Sequence, residues 1–320
     1  MKRMSVFSLC AVAVLAGLLA VCGAGEAAPA KQKMSIATAS IGGAYYPVGT
    51  GIANLINKYV PAVEVRVEVT GGGMDNARLV GSGESDLGLS NASQVSMAID
   101  GKKPFAKKYP LRVIAHVYPS VYHMVTRENS PYRSLEDLKG RRVAVGPAGG
   151  GTYMFLRELA AVSGLDIKDF KLSYISYNDG VLALQDGNVD ANFALAGAPT
   201  AAIMELATRT PLRHISMKED VLQKFLARHS YHIRFVIPKD MYKTKEDGVT
   251  FAGGNLLVVN QGMSADMAYK ITAALYNHLE ELRAVHPSTK GVTLDLAPQT
   301  SSPLHPGAER YYREKGLLKK

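Results

Sequence analysis

Ser35-Ile36-Ala37-Thr38-Ala39-Ser40-Ile41-Gly42-Gly43-Ala44-Tyr45-Tyr46-Pro47 decides the fold: an apolar strand over 35–39, a glycine pair, then a helix start. Gly42-Gly43 stops the strand, and Pro47 suits the first helical turn, where its missing N–H breaks no bond. The helix predicted here ends near Lys58. A second strand follows over Val63 to Val69, its valines alternating with Glu64, Arg66 and Glu68. Gly71-Gly72-Gly73 breaks it, and a helix is expected from Met74 to Val80. Gly83-Glu84-Ser85-Asp86 then turns into a third strand, Leu87-Gly88-Leu89, which stops at Ser90-Asn91.

The same order recurs downstream. Arg142 to Val145 reads as a strand, followed by Gly149-Gly150-Gly151-Thr152-Tyr153 and a helix to Ser163 that Gly164 closes. Strand Lys171 to Ile175 leads to a turn at Asn178-Asp179-Gly180 and a helix to Gln185. Gly187-Asn188-Val189-Asp190 repeats the Gly-x-x-Asp turn and enters strand Ala191 to Leu195, which ends at Gly197. Strand–helix alternation builds a parallel sheet with right-handed crossovers, so two such units predict an α/β protein of two doubly wound lobes.

Two further strands connect the units. His123 to Thr126 leads to Ser134-Leu135-Glu136-Asp137, which resembles a capping-box helix start. Leu256 to Val259 precedes Ser264, the expected cap of a long helix stopped by Pro287, with Met267, Ile271, Ala274, Leu275, Leu282 and Val285 on one face. These strands predict a two-strand hinge between lobe I, residues 31–122 plus 258–320, and lobe II, residues 123–257.

Residues 1–30 read as a signal peptide. Lys2 and Arg3 are its basic start, and Val6 to Val21 is nearly all apolar but shorter than the ~20 residues of a membrane span. Ala28-Pro29-Ala30 offers a cleavage site. Leu19-Ala20-Val21-Cys22 approximates a lipoprotein box, but the bulky Val21 favours a soluble periplasmic or extracytoplasmic product over one lipidated at Cys22. Cys10 and Cys22 are the only cysteines, so the remaining chain has no disulfide, thiolate nucleophile or cysteine metal site. The net charge of +9 would suit nucleic acid. The export signal and the scattering of Lys and Arg into short loop clusters argue against such a partner.

Ligands of open α/β sheets bind beyond the carboxyl ends of strands, where helix N-termini favour anions. Gly42, Gly43, Gly150 and Gly151 occupy such ends, and glycine lets a ligand oxygen approach main-chain amides. Ser90, Asn91 and Gly197 end the third strands. Thr152 and Ser90 add hydroxyls, Asn91 and Gln94 add amides, and Tyr45 and Tyr46 offer ring walls and hydroxyls. Together they would hold a small anionic metabolite largely by neutral donors. Asp86 and Asp190 read as turn residues. There is no dinucleotide fingerprint, Walker loop, Gly-x-Ser-x-Gly elbow or His-Glu-x-x-His, so no catalytic residue, metal or cofactor is expected.

Ile41 to Pro47, Glu68 to Gly72, Gly83 to Gly88, Ser134 to Val143 and Leu304 to Tyr312 together resemble the TAXI family of TRAP-transporter solute receptors. The resemblance runs in order along nearly the whole chain after the leader. It implies a type II periplasmic binding protein fold that closes over its ligand and docks onto the membrane subunits of a TRAP importer driven by an ion gradient, typically sodium. It further implies glutamate, glutamine or a dicarboxylate such as 2-oxoglutarate as ligand, although the segment Ser90 to Gln94 varies in that family. A monomer is expected. A periplasmic enzyme or surface antigen on the same scaffold is the alternative.

Overall fold

In the computed structural model of the protein, which describes residues 31–229 and 231–318, the first repeat folds around a central strand. It comprises β1 (Gln32–Ala37), α1 (Tyr45–Tyr59), β2 (Val63–Glu68), α2 (Gly73–Ser82) and β3 (Leu87–Asn91). β1 runs parallel to both β2 and β3, giving the strand order 2-1-3. The alternation in β2 buries Val63 and Val65. A helix not read from the sequence, α3 (Ala92–Asp100), leads to the 17-residue strand β4 (Leu111–Arg127).

The second repeat copies the first. Its elements are β5 (Arg142–Ala144), α4 (Gly151–Val162), β6 (Lys171–Ser173), α5 (Tyr177–Gln185) and β7 (Ala191–Gly197), with β5 parallel to β6 and β7. The Gly-x-x-Asp aspartates do one job in both halves. Asp86 Oδ2 accepts the Ser35 N–H at 2.8 Å, and Asp190 Oδ2 accepts the Arg142 N–H at 2.9 Å. Each carboxylate thereby ties the entry of a third strand to the central strand beside it.

After α6 (Ala201–Ala207) come β8 (Leu212–His214), α7 (Glu219–Arg228), β9 (His232–Ile237), α8 (Lys239–Tyr242) and β10 (Gly248–Asn260). The strands form one sheet in the order β2-β1-β3-β10-β4-β7-β5-β6, with β8 on β4 and β9 on β10. β4 pairs antiparallel with β10 and, further along, with β7. β10 pairs with β3 over 255–259 and with β9 over 248–253. Both long strands therefore belong to both halves of the sheet, and the segments 123–126 and 256–259 are parts of them.

α9 (Ala265–Tyr276), α10 (Leu279–Ala284) and α11 (Pro306–Glu314) complete the first half. α1, α9 and α11 cover a core containing Ile36, Ile52, Leu257, Ile271 and Tyr312. α4 and α7 cover another containing Phe155, Phe193, Phe225 and Phe251.

Three local expectations are corrected. Asn178-Asp179-Gly180 is the first turn of α5, because the Ser176 hydroxyl accepts the Asp179 N–H at 3.1 Å and starts the helix. Ser134 to Asp137 opens only a 3₁₀ turn, Glu136–Leu138. There the Asp137 carboxylate reaches back to the N–H groups of Arg133 and Ser134, each at 2.9 Å. The long helix after Ser264 is two helices. Ser264 does cap the first, but the chain breaks at Asn277 and His278, where Asn277 accepts the Tyr311 hydroxyl and His278 stacks on Tyr59. The signal peptide, Cys10 and Cys22 lie outside the described residues.

Candidate functional site

α1, α2 and α4 begin at one cavity, and none of the three has a side-chain cap; their N-caps are Ala44, Gly72 and Gly150. By contrast, Asn91 caps α3 and Ser176 caps α5. The first turn of a helix leaves N–H groups without intrahelical partners and carries partial positive charge. Three such ends focus on the same small space. No Asp, Glu, Lys or Arg lines it.

Gln94 is the side chain that organises the wall. It is 1 % exposed. Its Oε1 accepts the Asn91 N–H at 3.3 Å in a capping box, while its Nε2 has no hydrogen-bond partner. The amide stands between Gly73 of the first repeat and Gly151 of the second; a methyl group on either glycine would collide with it. The buried Ser40 hydroxyl, also in the wall, is likewise without a partner. Buried polar groups are normally paired, so two free ones facing one cavity mark it as a place for a hydrogen-bonding guest.

The tyrosines tie this wall to the sheet. The Tyr45 hydroxyl donates to Asn255 Oδ1 at 2.7 Å, and Asn255 Nδ2 donates to Ser120 Oγ at 2.7 Å, joining α1 to β10 and β4. Tyr45 packs edge-on against Tyr118, whose buried hydroxyl has no partner. Tyr177 bonds Thr152 Oγ1 at 2.9 Å and donates to the Leu195 carbonyl at 3.1 Å. Burial pushes the pKa values of Tyr45 and Tyr177 up, so both hydroxyls stay neutral.

Of the residues expected at the ligand, Gly43, Tyr45, Gln94, Gly150 and Gly151 line the cavity. The other predicted residues sit around it. Gly42, at φ 105°, accepts the Ala202 N–H at 3.3 Å from the second half. Ser90 donates to the Gly73 carbonyl at 2.8 Å, behind the wall, and Asn91 is the α3 cap. Thr152 is buried and accepts the Leu195 N–H at 3.1 Å. Gly197 lies beside Ala44 and Ser288, and Tyr46 is half-buried on α1; neither lines the cavity. Gly71, Gly72, Gly73 and Tyr177 line it and were missed. The glycine triad had the same signal as Gly42-Gly43, a glycine run between a strand and a helix.

The two repeats meet here through main chain. Gly71 faces Gly149, and the Asp75 N–H in the first turn of α2 donates to the Gly149 carbonyl at 3.4 Å. The cavity is small, about 30 Å³, room for about two water molecules.

The sequence pattern of the NMT1-like family matches residues 36–316. The chain belongs to the NMT1-like family. Solved structures resemble this NMT1-like chain at low identity. PhnD1 of Prochlorococcus marinus (MIT 9301), in complex with methylphosphonate, superposes with a TM-score of 0.53 at 12% identity, over 90% of this chain and 99% of that one. A binding protein component of an ABC phosphonate transporter from Pseudomonas aeruginosa gives 0.51 at 11%, over 81% and 79%. An aliphatic sulfonates-binding protein of Escherichia coli (strain K12) is 36% identical over 73 residues; the match spans 23% of this chain and 23% of that relative. The fold of the NMT1-like chain is thus the type II periplasmic binding protein fold, an α/β architecture with a mixed sheet. Among the described residues no cluster of His, Cys, Asp or Glu could hold a metal ion, and no helix is long and apolar enough to cross a membrane.

Proposed function

We propose that this protein is an extracytoplasmic solute receptor of a membrane importer and that it takes a small organic anion where α1, α2 and α4 begin. The observation that carries the proposal is the convergence of three uncapped helix N-termini with the unpartnered Gln94 amide. Main-chain N–H groups and a neutral amide solvate an anion without a countercharge. Residues 31–122 plus 258–320 form one lobe and 123–257 the other. β4 and β10 are the hinge, and the Gly71–Gly149 contact is the mouth that opens. The leader directs the chain to the periplasm and is removed, with lipidation at Cys22 as the alternative product. The receptor works as a monomer, without cofactor, and catalyses nothing.

The motif resemblance supports a TRAP importer and glutamate, glutamine or a dicarboxylate such as 2-oxoglutarate. A second assignment, an ABC-type importer of a phosphonate or sulfonate, draws on the similarity to phosphonate- and sulfonate-binding proteins and on the small cavity, which suits a compact oxyanion. Calorimetry decides between them, using the mature protein with glutamate, glutamine, 2-oxoglutarate, methylphosphonate and a short alkanesulfonate. Saturable binding of at least one, without turnover and weakened by Gln94→Ala, is expected. A folded protein that binds none of them, or whose binding ignores Gln94→Ala, overturns the proposal. Product formation would favour the enzyme alternative.

A further inference from the structure

A second cavity, of about 410 Å³, lies against the middle of β4 and β10. Both halves of the molecule build it. His116 to Pro119 of β4 and Ala252 to Gly254 of β10 form one side; Tyr231 and Ile233 on or beside β9 and the 288–296 segment after α10 form the rest. The volume falls within the roughly 300–1,000 Å³ of small-molecule pockets.

Its chemistry is unlike that of the anion site. No Asp, Glu, Lys or Arg lines it, no α-helix begins at it, and the wall is mostly apolar. His116 lies flat enough against β10 that a methyl group at Gly254 would strike its ring. Burial lowers the pKa of His116, so the imidazole is neutral at pH 7. Ile233, Leu296 and Tyr231, three of the eight exposed large apolar side chains among the described residues, gather at this one cavity, at 65 %, 43 % and 40 % exposure. Single exposed apolar residues are ordinary, but a group of them around a concave space marks a binding surface. An ion moved from water to such a wall would lose its hydration without gaining a countercharge. An uncharged apolar guest would cover the exposed side chains at no such cost.

We propose that this cavity binds an uncharged, mainly apolar small molecule, aromatic or short-chain aliphatic, at a site separate from the anion cavity. The probe is N-phenyl-1-naphthylamine, neutral and fluorescent in apolar surroundings. Wild-type protein should give a saturable rise in emission. Gly291→Phe should weaken probe binding by roughly tenfold or more, because Gly291 lines the cavity and a side chain there starts in open space. Leu296→Glu, at an exposed position that tolerates charge, should weaken it as well. Gln94→Ala should leave it unchanged. Circular-dichroism melts establish that each variant is folded. No saturable signal with wild type overturns the proposal, as does binding that both wall variants leave intact. Loss of probe binding in Gln94→Ala, with both wall variants normal, places the probe in the anion cavity and also overturns it.

Discussion

The two repeats have the same strand order and the same aspartate anchor, yet they finish differently, and the difference lies in what each places at the cavity and behind it. In the first repeat β3 passes directly into α3, whose capping box brings the Gln94 amide to the cavity. In the second, β7 ends at Gly197 and the chain is fixed behind the wall by buried polar side chains. The Thr200 N–H donates to the Tyr242 hydroxyl at 2.7 Å, and that hydroxyl meets His123 Nε2 at 2.9 Å. With Nδ1 of the same ring donating to the Val121 carbonyl at 3.0 Å, the tautomer follows: Tyr242 donates and Nε2 accepts. The first half presents a free donor at the cavity; the corresponding side chains after β7 are paired with one another.

Acid should break that symmetry most strongly. His214 and His232 are buried in the second half, and neither ring nitrogen of either has a hydrogen-bond partner. Burial lowers both pKa values from 6.5 to about 4. The native state then binds fewer protons than the unfolded chain, so this contribution is full above about pH 6.5 and is lost as pH falls toward 4. Each histidine should cost about 1–2 kcal/mol between pH 6.5 and 5. Burial also lowers His123, to about 3, and lowers His116, His286 and His305 in the other half. Urea unfolding at the two pH values checks the size of the effect. The His214→Phe, His232→Phe double variant should remove about 3 kcal/mol of the pH dependence; a variant as acid-sensitive as the wild type would show that these rings do not carry it.

The aspartate anchors test the shared part of the comparison. Asp86→Ala and Asp190→Ala each leave a strand N–H without its acceptor and should each cost about 1–3 kcal/mol. Asp190 also pairs with the Arg142 guanidinium at 3.2 Å. That pair is exposed on the arginine side, so it should add at most about 1 kcal/mol. Burial raises the Asp190 pKa, but the Arg142 hydrogen bonds outweigh it and hold the carboxyl below its usual range. Denaturation midpoints of the two variants should therefore differ little. A large gap between them would mean that the two turns do different jobs.

The repeat was legible because each strand–glycine–helix unit writes its own punctuation, and Gly-x-x-Asp recurs where each aspartate caps a neighbouring strand. The site was legible only in part. Gly43, Gly150 and Gly151 follow from glycine at strand ends, and Gln94 from its place after β3. Gly71 to Gly73 carried the same signal but stood as a mere break, since nothing local reveals that they meet Gly149 of the other repeat. Tyr46 was over-read: it adjoins Tyr45, but one step along a helix turns a side chain by about 100°. Of β4 only 123–126 reads as a strand from the sequence, although the strand begins at Leu111; that segment is wholly buried, while Arg112 and His116 are half-buried and Pro119 is exposed. The α9–α10 break depends on Tyr311 and Tyr59, which sequence spacing does not bring together.

Adding a methyl group at the meeting point of the repeats should weaken solute binding. Gly73→Ala and Gly151→Ala each push on the Gln94 amide, from opposite sides. Overpacking strain of about 1–3 kcal/mol corresponds to about five- to 150-fold in Kd. Gly164, at φ 75° with open space around it, serves as the control. Gly164→Ala should lower stability slightly and leave affinity unchanged. Equal affinity losses in all three variants would point to general destabilisation.

The smallest effect should come from Thr152, and its direction distinguishes a donor to the solute from a support. Thr152 Oγ1 is already engaged by Tyr177 at 2.9 Å and by the Leu195 N–H at 3.1 Å, and the side chain is fully buried. Thr152→Val keeps its volume and deletes both bonds, so it should cost about 1 kcal/mol of stability and weaken binding no more than about fivefold. Tyr177→Phe removes the same hydroxyl partner from the other side. If Thr152 acts through Tyr177, the double variant should lose little more affinity than either single one, because interacting residues share one coupling term. Additive losses would mean instead that each hydroxyl reaches the solute on its own when the cavity opens, and the second repeat would then be a recognition half as much as the first.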